Sequence, residues 1–148
     1  MAVKQLNPSA IAPDGSAYVT VTDGVGNLTG GQIVPSGATM ITASATGTTG
    51  ATTATLPGVA GKTTYLAGFY IAANATAAAT GNATVTGTIT GTLNFTQWTA
   101  PLASGIGVIS PDINIPIPAS GANQAIAVVS AAPGTGGTVS VTAWGYQL

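Results

Sequence analysis

Across residues 83–95 the chain reads ATVTGTITGTLNF, and polar and apolar positions alternate throughout. Thr84, Thr86, Thr88, Thr90 and Thr92 share one side, and Asn94 continues the row. Val85, Gly87, Ile89, Gly91, Leu93 and Phe95 share the other. Successive side chains of a strand point to opposite faces, so the pattern predicts one half-buried strand with a threonine outer face. Threonine is β-branched enough to prefer the pleat and polar enough to meet water. The same period marks AYVTVT at 17–22, QIV at 32–34 and ATMITASAT at 38–46. KTTYLAGFYIAA at 62–73 is a longer, almost continuous apolar strand, and residues 75–82 read as a loop. Short strands follow at 106–110 and 113–118. Pro116 and Pro118 demote the second of these to an edge or strap. Trp98, Pro101 and Gly105 mark a turn region between 95 and 106. QAIAVVSA at 124–131 is a buried strand, PGTGG is a turn, and TVSVTAWGYQL closes the chain.

These segments make roughly eight strands with turn signals at intervals of about 8–12 residues, and no helix of normal length can be drawn. The expected fold is all-β, a two-sheet β-sandwich of jelly-roll type over residues 17–148. Residues 1–16, with Pro8, Pro13 and the Asp14-Gly15 turn, read as an extended N-terminal arm. At 148 residues the chain suits one domain with a core of its own.

Charge changes the picture most. Charged residues make up 3% of the chain, against about 25% in an ordinary soluble domain. They are Lys4, Lys62, Asp14, Asp23 and Asp112, for a net charge of −1. Two lysines cannot neutralise a phosphate track, so nucleic acid is not an expected partner. Mean hydropathy is +0.47, yet no apolar run reaches the length of a membrane span, and residues 1–13 hold no apolar signal core. A protein made in a cytoplasm and not inserted in a membrane is therefore expected. There is no cysteine, so disulfides and thiolate metal sites are excluded.

The same composition narrows the chemistry. Without His, Cys or Glu, neither a Ser-His-Asp triad nor a zinc site can be assembled. A two-carboxylate site would need Asp14, Asp23 and Asp112 to converge, and the first two sit in Asp-Gly turns. Lys62 in GKTTY reads as a solvated lysine at a strand start. GVGNLTG at 24–30 has the wrong spacing for a phosphate-cradling loop and no following helix. No catalytic residue, cofactor or metal is expected. The aromatic residues hold more promise. In the closing strand Trp144 and Tyr146 continue the polar face of Thr138, Ser140 and Thr142, opposite Val139, Val141 and Ala143, unless a bulge at Gly145 shifts the register. Trp and Tyr are enriched at interface centres, which makes Trp144, Tyr146 and Trp98 candidate contact residues.

TLPGVAGKTTYLAGFYI at 55–71, the TVTGTITGTLNF strand and the ending VTAWGYQL after PGTGG resemble small capsid decoration, or cement, proteins of tailed bacteriophages. The likeness spans about residues 55–148. It implies a jelly-roll structural protein on the exterior of an icosahedral virion. Such a protein binds an HK97-like major capsid protein, bridges neighbouring subunits, stabilises the shell, and forms dimers or trimers. On that reading the arm residues Lys4, Gln5, Leu6, Pro8, Ile11 and Pro13 join Trp98, Trp144 and Tyr146 as interface candidates. Two rivals stay open. One is a fibre or glycan-binding jelly roll that stacks sugars on the same aromatic rings. The other is a threonine-rich ice-binding protein, suggested by the TVT, TGT and TIT triplets.

Overall fold

The computed structural model describes residues 34–35, 37–76, 80–99, 106–111 and 113–148, with backbone alone at 80, 96–99 and 106. The described strands all belong to one compact unit, Pro35–Leu148. The arm at 1–16 and the strand expected at 17–22 lie outside the described residues. Of the strand expected at 32–34 only Val34 is described, and it is not in a strand.

Among the described residues there is no helix, and nine strands form two antiparallel sheets. They are β1 (Thr39–Gly47), β2 (Thr52–Leu56), β3 (Thr64–Asn74), β4 (Thr80–Thr88), β5 (Gly91–Thr99), β6 (Ile106–Ile109), β7 (Ile117–Pro118), β8 (Ile126–Ser130) and β9 (Thr138–Gln147). The first sheet has the order β1-β9-β3-β6, and the second β2-β8-β4-β5. The two-residue β7 pairs with β3 at Tyr65 and Leu66, while β6 pairs with the far end of the same strand, from Ile71 to Asn74. Both inner faces feed one core. Leu56, Val85, Ile126 and Val128 of the second sheet meet Leu66, Phe69, Ile71, Val139 and Val141 of the first. Phe95 packs edge-on against Phe69, ring centroids 4.9 Å apart and planes at 79°. Each such side chain, fully buried, contributes about 1.5–3 kcal/mol of hydrophobic stabilisation.

Four expectations are corrected. The segment 83–95 is not one strand but a hairpin, β4 and β5, which turns at Ile89 and Thr90. Ile89, placed on the inner face by strict alternation, is 64% exposed at the tip. Neither tip residue has positive φ, so a primed two-residue turn is not formed. Gly91 at φ 84° supplies the left-handed position that follows an ordinary turn. Gly87, at φ 81°, breaks the alternation just before the turn. Thr88 thereby points inward, 2% exposed, and its hydroxyl donates to the Gly91 carbonyl. Second, β4 begins at Thr80, inside the expected loop. Third, β2 was not anticipated: Thr52, Ala54 and Leu56 alternate inward, but Thr and Ala give little apolar signal. Fourth, the backbone at Trp98 is not a turn but part of β5, opposite Gly81.

The proline-rich segment is a strap, one of the two forms the sequence allowed. Ile117–Pro118 runs beside β3, then Ala119 bridges to Thr88 of β4. Pro118 has no N–H to offer the ladder, but its carbonyl accepts from Ile89 N at 2.9 Å. Ala119 N donates to Thr64 O, and Ser120 N to Gly87 O, both at 2.8 Å, so the strap ties the first sheet to the hairpin of the second.

Candidate functional site

Tyr65 and Tyr70 lie five positions apart, so a straight strand would turn them to opposite faces. Strand β3 is not straight. Its pairing with β9 opposes Leu66 to Gly145 and Gly68 to Trp144, which makes Ala67 an extra residue and the site of a β-bulge. The bulge re-phases the strand. Leu66, Phe69 and Ile71 point into the core, while Tyr65, Gly68, Tyr70 and Ala72 share the outer face. The sequence left open a bulge at Gly145; the register shift lies instead on the neighbouring strand, at Ala67, and β9 pairs with β1 without a break. Gly145 itself is held to glycine by crowding, since a Cβ there would collide with the carbonyl of Tyr65.

The outer face of the first sheet therefore gathers four of the chain's large rings. Tyr65 and Tyr146 are cross-strand partners and stack, with centroids 4.9 Å apart and planes at 16°. Such a pair contributes about 0.5–1.5 kcal/mol beyond its buried area. Trp144 lies across Gly68: a Cβ at Gly68 would meet Cζ2, Cε2 and Nε1 of the indole at 2.5, 2.6 and 2.9 Å. The indole thus packs close over Gly68 and leaves no room there for a side chain. Tyr70 is 40% exposed, and apolar Met40 and Val108 flank the rings from β1 and β6. Hydroxyl and amide groups fill the remainder. Thr46 and Ser140 share a 3.1 Å hydrogen bond, and Asn74 Oδ1 accepts from Thr138 N at 3.0 Å. An open hollow of ≈ 160 Å³ is lined by Ala72, Ala73, Asn74, Thr138 and Ser140.

The outer face of the second sheet has another character. Its rows run Thr53, Val129, Thr84 and Asn94, then Thr55, Ala127 and Thr86. These described side chains make a mosaic of methyls, hydroxyls and one amide. Among the described residues Lys62 is the one charged side chain. It sits just before β3, and its Nζ donates to Thr39 Oγ1 at 3.1 Å. No described side chain on either outer face carries a formal charge. Burial pushes the Tyr146 phenol above its ordinary value of 10.0, and repulsion from Tyr65 adds to the shift.

Of the residues singled out from sequence, Trp144 and Tyr146 stand on this aromatic face, Tyr146 mostly covered at 8% exposure. Lys4, Gln5, Leu6, Pro8, Ile11 and Pro13 lie outside the described residues, as do Asp14, Asp23, Asp112 and the loop at 24–30. Trp98 is described in its backbone only. Sequence reasoning missed Tyr65 and Tyr70, because the bulge that unites them leaves no mark in period-two patterning. It also missed a polar knot at the sheet end. Gln147, 4% exposed, donates through Nε2 to Pro57 O at 2.7 Å, and Thr64 Oγ1 donates to the same carbonyl at 2.9 Å. Comparison of the chain with protein-family models, with curated proteins and with solved structures finds no match.

Proposed function

We propose that the chain is a jelly-roll decoration protein of a phage virion. It binds the outer surface of an icosahedral capsid, bridges neighbouring HK97-like major capsid subunits as a dimer or trimer, and stabilises the shell. A jelly roll is an antiparallel ribbon of eight strands rolled into two sheets. The pairing pattern supports that topology. With β7 set aside, first pairs with last (β1 with β9), second with second-last (β2 with β8), then β3 with β6, and β4 with β5 at the ribbon tip. Rolling the ribbon brings β9 beside β3 and β8 beside β4.

The main support for an assembled life is that no described side chain on either outer face is charged. A solvated β-sheet normally carries Lys, Glu or Pro to discourage association. The second sheet instead offers rows of Thr, Val, Ala and Asn. Such a surface can dry against a neighbour without the cost of desolvating an ion. This threonine face meets the shell.

Co-sedimentation with shells of the source phage that lack this protein tests the reading. Saturable binding at a fixed number of copies per major capsid subunit is expected, and it should hold in 1 M salt, where the screening length is only about 3 Å. Binding that collapses at moderate salt, or a few copies per particle, would overturn it.

A further inference from the structure

We propose that the stacked Tyr65–Tyr146 pair is a site of oxidative cross-linking, where a one-electron oxidant joins the two rings into a dityrosine that staples β3 to β9. This goes beyond shell binding and does not depend on it. The chain holds no cysteine, so no disulfide can tie its strands together. Among the described residues, this pair is the one stacked contact between two phenols.

The pair geometry carries the inference. Tyr65 and Tyr146 are direct cross-strand partners, with ring centroids 4.9 Å apart and planes at 16°. That separation is close to the spacing of two directly bonded rings, so coupling needs only a small closing movement. Both side chains rise from the same face of neighbouring strands, so like ends of the two rings adjoin. The strands approach closely here, since a Cβ at Gly145 would collide with the Tyr65 carbonyl. Burial first, and Tyr65 second, raise the Tyr146 phenol above its ordinary value, and the second effect needs the two hydroxyls near each other. Tyr65 is half-buried and gives an electron a route out to solvent. Tyr146, 8% exposed, is sheltered from solutes that would quench its radical.

The chemistry balances with a named class of oxidant. Each phenol gives up one electron and its hydroxyl proton, which leaves a phenoxyl radical with spin on the carbons beside the oxygen. The two radicals form one bond between a Cε of each ring. The hydrogen on each joined carbon then moves to its own ring's oxygen, so both phenols are restored. Two electrons and two protons leave, and the chain loses two hydrogen atoms. A haem peroxidase supplies such an oxidant by passing the two electrons and two protons to hydrogen peroxide, which becomes two waters. Tyr70 makes the contrast. It is 40% exposed, and among the described residues no ring stacks on it, so its radical couples between chains instead.

The test oxidises the full chain, at micromolar concentration, with light, tris(bipyridyl)ruthenium(II) and persulfate, which takes up the two electrons and becomes sulfate. The expected product is a monomer lighter by two hydrogen atoms, with the blue emission of dityrosine. Chymotryptic mapping should join the peptide around Tyr65 to the one around Tyr146. Tyr65→Phe and Tyr146→Phe keep both rings, and each should abolish the monomer's emission. Tyr70→Phe should leave it as in wild type. In 8 M urea about eighty residues of loose chain separate the two rings, and the yield should fall at least about tenfold. The purified cross-linked monomer should unfold at a higher urea midpoint than the untreated chain, because the bond closes that loop in the unfolded state. The proposal is overturned by the absence of a lighter monomer, by a monomer cross-link that survives Tyr65→Phe, or by equal yields in urea and buffer. Cross-linked dimers through Tyr70 as the sole product would also overturn it, and a midpoint that does not rise would overturn the staple. Shell co-sedimentation is a separate readout, so either assignment can fail alone.

Discussion

Thr52 carries a buried hydroxyl with no partner: the residue is 5% exposed and its Oγ1 makes no hydrogen bond. It sits under the β1–β2 turn, where Gly47 leaves no space beside it. An unsatisfied buried polar group costs about 1–3 kcal/mol, and valine has the same shape without the oxygen. Thr52→Val should therefore raise the urea midpoint, by about 1 kcal/mol of stability. A fall would mean that the hydroxyl is bonded in solution. Tyr146 sets a second expectation. Its phenol titrates higher in the folded chain than in the unfolded one, through burial first and the Tyr65 neighbour second. The native state then holds the proton more tightly. This contribution is complete below the unfolded value near pH 10 and is lost as pH climbs through the folded value. Denaturant melts at pH 8 and pH 11 should differ for the wild-type chain and converge for Tyr146→Phe. No histidine is present, so no His step is expected near neutrality.

The β4–β5 hairpin turns on two glycines that do different work. At Gly91 a Cβ would meet nothing within 4 Å, so Gly91→Ala exposes only the cost of the left-handed backbone, about 1–2 kcal/mol. At Gly87 the same conformation is compounded by a clash with the Ala125 carbonyl. Urea midpoints should fall in the order wild type, Gly91→Ala, Gly87→Ala, and the reverse order for the two variants would discard this account of the turn. The same residues explain what the sequence could and could not give away. Strands with unbroken alternation, such as β8 and most of β9, were legible, as were the all-β class and the core side of Val139 and Val141. Where one residue shifts the phase, patterning fails. Gly87 hides a hairpin inside what reads as a single strand, and Ala67 hides the meeting of Tyr65 with Tyr146. β2 escaped for another reason: Thr52 and Ala54 are too small to announce a buried face. Half of the aromatic site, Trp144 and Tyr146, was visible from the closing strand. The half contributed by β3 depends on a bulge that no spacing rule encodes.

At the scale of the whole molecule, the two sheets turn chemically distinct faces outward, one ringed with aromatics and one tiled with threonine. A net charge of −1 gives little repulsion between copies, below the magnitude of about 2–8 that keeps small domains apart. Solubility and assembly thus pull on the same surface, and added charge should separate them. Thr53 and Thr84 lie in one row of the threonine face, and both point away from the core. Replacing both with lysine should change the stability of the free chain by no more than about 0.5 kcal/mol per site, since each ammonium stays in water. Solubility should rise. On the shell the outcome differs: an ammonium enclosed in a dry contact without a partner costs several kcal/mol, enough to remove binding from a co-sedimentation assay. Because that penalty comes from desolvation rather than long-range repulsion, 1 M salt should not restore it. A double-lysine chain that melts like wild type yet still decorates shells at full stoichiometry would move the shell contact off this face.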